Sequence, residues 1–181
     1  MLVQRTKAVQ AERTFVELRD RFPTAASLAD AGTEVASEIS WRAGLHWRGR
    51  LLYQAAVAVA GRGGRPPEEI NELLDLPGVG PYAAAAWLSL HRAKRAVIVD
   101  NNVARWLARL EGRPYDGETR RKRWVAELAD SLTPRAGYRT YNYAVLDFTM
   151  QVCVPRAPRC HDCPIRADCH FGTSSLRLGT L

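Results

Sequence analysis

The sequence predicts an all-α fold, on three observations. Apolar residues recur at helical spacing in one segment after another. Glycine and proline clusters punctuate those segments. Only one short stretch, Ala96 to Val99, is apolar without helical spacing, and it reads as a buried, extended connection.

Taken in order, residues 7–21 place Val9, Phe15, Val16 and Leu18 at roughly helical spacing. Phe22-Pro23-Thr24 is a turn, and Thr24 can cap a short helix through Ala29. Residues 33–41 read as a second short helix and residues 48–60 as an apolar one. The run from Gly61 to Pro67 is a loop. Glu68 to Asp75 is a helix with acids in its first turn, where they suit the macrodipole. Pro77-Gly78-Val79-Gly80 is a tight turn, and Pro81 stands where a first-turn proline belongs, opening a helix to about His91. Asn101 or Asn102 can cap a helix through Leu110. A helix around Arg121 to Leu132 follows, and Tyr141 to Val152 is the last apolar helix before a cysteine-rich loop. The tail from Gly172 is expected to be poorly ordered. Trp41 and Trp47 are expected in the core.

Composition narrows the function classes. The chain has 181 residues, 46% hydrophobic and 25% charged, as a globular protein does. No run reaches the length of about 18 apolar residues that a membrane span needs. Arg5, Lys7, Glu12 and Arg13 break up the N-terminus where a signal peptide would lie, so an intracellular protein is expected. The formal net charge of +7 favours a polyanionic partner, nucleic acid above all. Its distribution adds weight. No acid occurs between Ile39 and Pro67, which hold Arg42, Arg48, Arg50, Arg62 and Arg65. None occurs between Leu76 and Val99, which hold Arg92, Lys94 and Arg95.

All four cysteines lie between 153 and 169, in the pattern C-x6-C-x2-C-x5-C. A disulfide framework would scatter them, whereas a proline-bearing loop of 17 residues can wrap four thiolates around one metal centre. The spacing leaves zinc and an iron–sulfur cluster both open. Upstream, Leu76-Pro77-Gly78-Val79-Gly80 joins two helices. Its glycines let the backbone turn sharply, and main-chain N–H groups at the start of the next helix bind a phosphate without reading sequence.

These two motifs resemble the helix-hairpin-helix DNA glycosylases of the endonuclease III and adenine DNA glycosylase family. Asp147-Phe148-Thr149-Met150-Gln151-Val152-Cys153 and Pro158-Arg159-Cys160-His161-Asp162-Cys163-Pro164 are similar to that family's cluster loop. The resemblance implies a two-lobed helix-hairpin-helix glycosylase fold. Residues 1–97 would form a helical barrel lobe with the hairpin, residues 98–181 a helical lobe closed by a [4Fe–4S] cluster, and the DNA cleft would lie between them. Cys153, Cys160, Cys163 and Cys169 would be the ligands. The hairpin residues Gly78, Val79 and Gly80 would meet DNA phosphate, with a monovalent cation often bound there. Arg156 and Arg159, between the first two cysteines, would meet phosphate as well.

The superfamily places an aspartate beyond the hairpin, after an apolar stretch and before a helix. Asp100 in Val97-Ile98-Val99-Asp100-Asn101-Asn102-Val103-Ala104-Arg105 lies 20 residues past Gly80 and matches. The resemblance makes Asp100 the catalytic carboxylate, which stabilises the cationic sugar that develops as an N-glycosidic bond breaks. It also steers or deprotonates the attacking water. Position 82 is diagnostic in the family: lysine in endonuclease III, serine in most adenine glycosylases, tyrosine in thymine/uracil mismatch glycosylases. Tyr82 cannot form an imine, so the expected enzyme is monofunctional and leaves an abasic site.

The implied substrate is thymine or uracil opposite guanine in double-stranded DNA, flipped into a pocket, with the protein acting as a monomer. Gln4, beside Arg5, sits where the family fills the gap left in the duplex, and Leu45 lies in the segment used near the estranged base. The family's N-terminal helix and a glutamate preceding the Gln4 segment by two residues have no counterpart from Met1 onward. That points away from adenine excision, where the glutamate protonates the purine. Two alternatives stand: an adenine glycosylase acting opposite guanine or 8-oxoguanine, and a DNA-binding module with an iron–sulfur cluster and no catalysis.

Overall fold

A computed structural model describes residues 8–42 and 47–177. The regular structure among those residues is all helical, with no strand. The chain divides into two compact units, Met1–Ala84 and Ala85–Leu181.

The first unit opens with α1 (Ala8–Arg21) and α2 (Ala25–Arg42). Thr24 starts α2 with a reciprocal cap: its Oγ1 accepts the Ser27 N–H at 3.0 Å, and Ser27 Oγ accepts the Thr24 N–H at 3.2 Å. Gly32, at φ 89°, interrupts α2, which is why the sequence reads as two short helices there. Helix α3 (Arg48–Ala60) crosses α2 closely, and Leu18, Leu28, Ala36, Ile39 and Ala56 form the core of this unit. The crossing depends on Gly49, because a Cβ there would stand 2.3 Å from Ser37 Cα. Replacing Gly49 by alanine is therefore expected to destabilise the protein by about 2 kcal/mol through overpacking, visible as a lower midpoint in urea. Helix α4 (Ile70–Leu74) is shorter than its pattern suggests, and α5 (Pro81–Ala86) begins just before the second unit.

In the second unit α5 passes into π-helical turns at Trp87–His91. Residues 92–99 then run without regular structure, with Ile98 buried. Helix α6 (Asn101–Glu111) is the centre of this unit, and Val103, Ala104, Trp106 and Leu107 bury its apolar face. Gly112, at φ 66°, ends it in the left-handed conformation that glycine permits. A loop and a 3₁₀ turn at Thr119–Arg121 lead to α7 (Arg123–Leu132), then α8 (Tyr138–Gln151). Helix α9 (His170–Arg177) occupies part of the tail expected to lack order. Buried Gly172 holds it down: a Cβ there would come within 3.1 Å of the Arg166 carbonyl oxygen.

Three further expectations need correction. Trp41 and Trp47 are not core residues, since each is 64% exposed. The cap of α6 is Asp100 rather than either asparagine, because only its carboxylate reaches the Val103 N–H. The acid-free basic runs are not uniformly free surface either. Arg48 is buried, with its guanidinium 4.6 Å from the Trp47 ring centre, and Arg62 pairs with Glu72. Arg95 pairs with Asp130 and donates to the carbonyls of Asp130, Thr133 and Pro134, capping the end of α7. Acids missing from a run arrive from elsewhere in the chain.

Among the described residues no helix is long and apolar enough to cross a membrane.

Candidate active site and cysteine cavity

The hairpin is built as its residue types require. The Val79 N–H donates to the Leu76 carbonyl at 3.0 Å, closing a turn with Pro77 second and Gly78 third. Gly78 has φ 73°, the conformation that a type II turn reserves for glycine. The Gly80 carbonyl accepts the first bond of α5, from Ala84 N–H at 3.0 Å. Gly78 is exposed, Val79 and Gly80 are half-buried, and a Cβ at Gly80 would meet nothing within 4 Å. A polyanion can approach this backbone. Tyr82 follows on the first turn of α5 and is half-buried.

Asp100 is half-buried, and both its carboxylate oxygens are held. Oδ1 accepts the Val103 N–H at 2.8 Å, and Oδ2 accepts from Asn102 Nδ2 at 2.9 Å. Asn102 is held in turn, since its Oδ1 accepts from Arg105 Nη1 at 2.8 Å. Arg105 is buried. Its Nη2 donates to the carbonyls of Thr149 and Cys153, at 2.8 and 2.7 Å, and its Nε to Cys153 again at 3.3 Å. Burial pulls the guanidinium below its ordinary pKa, and the adjacent Cys153 opposes that shift. One chain of hydrogen bonds thus runs from the Asp100 carboxylate to the first cysteine of the loop. It fixes the plane of the carboxylate and satisfies carbonyls at the end of α8. Beside it, the Tyr115 hydroxyl donates to the Asn101 carbonyl at 3.2 Å, leaving the ring 43% exposed.

The Tyr115 loop is secured by Asp116, whose side chain accepts from Thr119 Oγ1, Lys122 Nζ and the Glu118 N–H. The Lys122 hydrogen bond, then that of Thr119, lowers the Asp116 pKa to about 2 from 3.8. A carboxylate depressed in the folded state stabilises it above the unfolded pKa and loses that contribution as pH falls through the folded one. Wild type is therefore expected to lose more stability than Asp116→Asn between pH 3.8 and about 2, measured by acid-dependent melting.

The four cysteines line one cavity of about 340 Å³, counting the solvent at its mouth. Arg109 braces the loop. Its Nη1 donates to the Val154 carbonyl at 2.7 Å and approaches Cys153 Sγ at 3.4 Å, while Nη2 donates to the Pro155 carbonyl at 2.8 Å. Burial raises the Cys160 pKa, and the other three cysteines raise it further. Burial likewise raises that of Cys163. Among the described residues no three His, Cys, Asp or Glu side chains stand close enough to hold a single metal ion. Four thiols lining one cavity are a donor set that fits an iron–sulfur cluster, in which each thiolate takes one iron. Two buried N–H groups without partners, Trp106 Nε1 and Arg166 Nε, belong to residues that line the same cavity.

Arg156 and Arg159 lie exposed on the loop between the first two cysteines, with Arg159 paired to Asp162 at 3.2 Å. Gln4, Arg5 and Leu45 fall outside the described residues. The sequence offered Asn102 only as a helix cap and assigned nothing to Arg105, Arg109, Tyr115, Trp106 or Arg166. A signal existed for two of them: Arg105 and Arg109 recur at i, i+4 on the otherwise apolar helix α6, where a basic residue needs an internal acceptor.

No family model matches the chain. It is 33% identical over 175 residues to the thymine/uracil-DNA glycosylase of Pyrobaculum aerophilum, covering 91% of this chain and 74% of that protein. It is 35% identical over 122 residues to the thymine/uracil-DNA glycosylase of Methanothermobacter thermautotrophicus, covering 67% of this chain but only 55% of that one. The human adenine DNA glycosylase is 30% identical over 172 residues, covering 93% of this chain and 32% of that protein. The structure of a thermostable thymine-DNA glycosylase superposes with a TM-score of 0.88 at 28% identity, over 96% of this chain and 81% of that one. An endonuclease III trapped on DNA shares the fold, with a TM-score of 0.84 at 21% identity over 97% of this chain and 82% of that one. The chain belongs to the helix-hairpin-helix DNA glycosylase superfamily.

Proposed function

We propose that this chain is a monofunctional DNA glycosylase that hydrolyses the N-glycosidic bond of thymine or uracil opposite guanine in double-stranded DNA. The observation that carries this reading is the Asp100 carboxylate, held through both oxygens at the start of α6. A fixed anion stabilises the developing oxocarbenium ion without reorganising as the bond breaks. The same carboxylate orients or deprotonates the incoming water. Tyr82 supports the monofunctional assignment, because a phenol cannot form the Schiff base that strand cleavage requires.

The Gly78-Val79-Gly80 backbone and the exposed Arg156 and Arg159 are assigned to DNA phosphate, where they position the duplex without reading its sequence. The match to thymine/uracil-DNA glycosylases over most of this chain favours the pyrimidine substrate. The match to an adenine DNA glycosylase keeps adenine mismatches as the second reading.

Cys153, Cys160, Cys163 and Cys169 are assigned as ligands of a [4Fe–4S] cluster, which cross-links the loop when bound. Through Arg109 and Arg105, the chain's own contacts tie that loop to α6 and so to Asp100. Borohydride trapping on a T·G duplex tests the monofunctional claim. No covalent adduct and no strand break before alkali are expected, and a trapped adduct contradicts it.

A further inference from the structure

Protein interiors seldom leave an N–H unmade, since a buried donor without an acceptor costs about 1–3 kcal/mol. Two such donors belong to residues lining the cysteine cavity: the indole Nε1 of Trp106 and the guanidinium Nε of Arg166. Neither is left so by loose packing. Trp106 is 7% exposed and meets Phe148 edge-on at 5.8 Å. Arg166 sits in the turn between the third and fourth cysteines, where its N–H donates to the Cys163 carbonyl and its carbonyl accepts from Cys169. Gly172 packs against its stem, so that a Cβ would come within 3.2 Å of Arg166 Cγ. The other two cationic groups on the cavity have partners: Arg109 donates to two carbonyls and a thiol, and Arg159 donates to Asp162.

We propose that Trp106 Nε1–H and Arg166 Nε–H are hydrogen-bond donors to the sulfurs of the bound cluster and raise its reduction potential. This rests on the reading of the four cysteines as cluster ligands. A reduced cluster carries one more negative charge than its oxidised form. Hydrogen bonds donated to its sulfurs, one of them from a cation, therefore favour the reduced form. They also lower the tendency of the cluster to leave.

The test compares anaerobically purified wild type with Trp106→Phe, which keeps a ring in the core, and Arg166→Met, which keeps an unbranched stem. Arg166→Gln serves as a second variant should the methionine protein fail to fold. The readouts are iron and sulfide content, midpoint potential by spectroelectrochemistry, and the rate of iron loss to a chelator. A more negative midpoint in each variant is expected, with iron loss faster by roughly tenfold or more. A brown, fully loaded variant whose midpoint and iron loss match wild type overturns the assignment of that donor, and both behaving so overturns the proposal. Wild type that holds no iron and sulfide overturns the ligand reading itself, a failure visible before any variant is compared.

Discussion

Replacing Asp100 by asparagine is expected to lower excision of a mismatched base by roughly 10²–10⁴-fold while the protein stays folded and bound to DNA. Asparagine caps a helix about as well as aspartate. The new amide carbonyl can still accept the Val103 N–H, and only the Asn102 contact must adjust. What disappears is the charge. A neutral amide cannot stabilise an oxocarbenium ion or take a proton from water. Affinity for a mismatched duplex should hold or rise, because a carboxylate facing a polyanion is gone. Single-turnover excision beside gel-shift titration reads both effects. Excision within tenfold of wild type would remove Asp100 from the chemistry.

Arg105→Met is expected to lower stability by about 3 kcal/mol, since it leaves buried carbonyls without their charged donor. For a chain of this size that corresponds to a fall of about 6–12 °C in melting temperature. Two carbonyls near the end of α8, those of Thr149 and Cys153, lose their partner. Asn102 loses the contact that orients it towards Asp100, so excision should fall further than stability alone explains. Arg105→Lys should be intermediate, because an ammonium keeps the charge but not the planar fork that reaches three groups. A melting temperature within 2–3 °C of wild type would contradict the bracing role, roughly one kcal/mol being the resolution of such a shift.

The fold was legible where sequence acts locally. Helices α3 and α6, and the hairpin turn, follow from apolar spacing and from the glycine and proline that end or open each segment, whereas of the four apolar residues that mark α1, Val9, Phe15 and Val16 are exposed and only Leu18 is in the core. The place of Asp100 at the start of α6 and the gathering of the four cysteines were legible because their spacing is local in the chain. Legibility failed where a residue's role depends on what folds against it. Arg95 reads as one more basic residue in an acid-free run, yet Asp130 and the end of α7 claim it. The spacing of Arg105 and Arg109 hints at an internal acceptor, but only the packing of α8 shows which carbonyls Arg105 meets. Trp41 and Trp47 fail in the opposite direction: their hydrophobicity predicts burial, and both stand exposed. The tail after Cys169 has too weak a pattern to announce α9, whose anchor is the contact between Gly172 and Arg166.

The central claim is that this chain removes a mispaired pyrimidine by hydrolysis. The most direct measurement is excision by purified protein on duplexes carrying T·G, U·G, A·G and A·8-oxoguanine, with and without alkali. Strand breaks at T·G and U·G that appear only after alkali are the predicted result. Breaks confined to the adenine duplexes, or binding with no excision of any base, would contradict it.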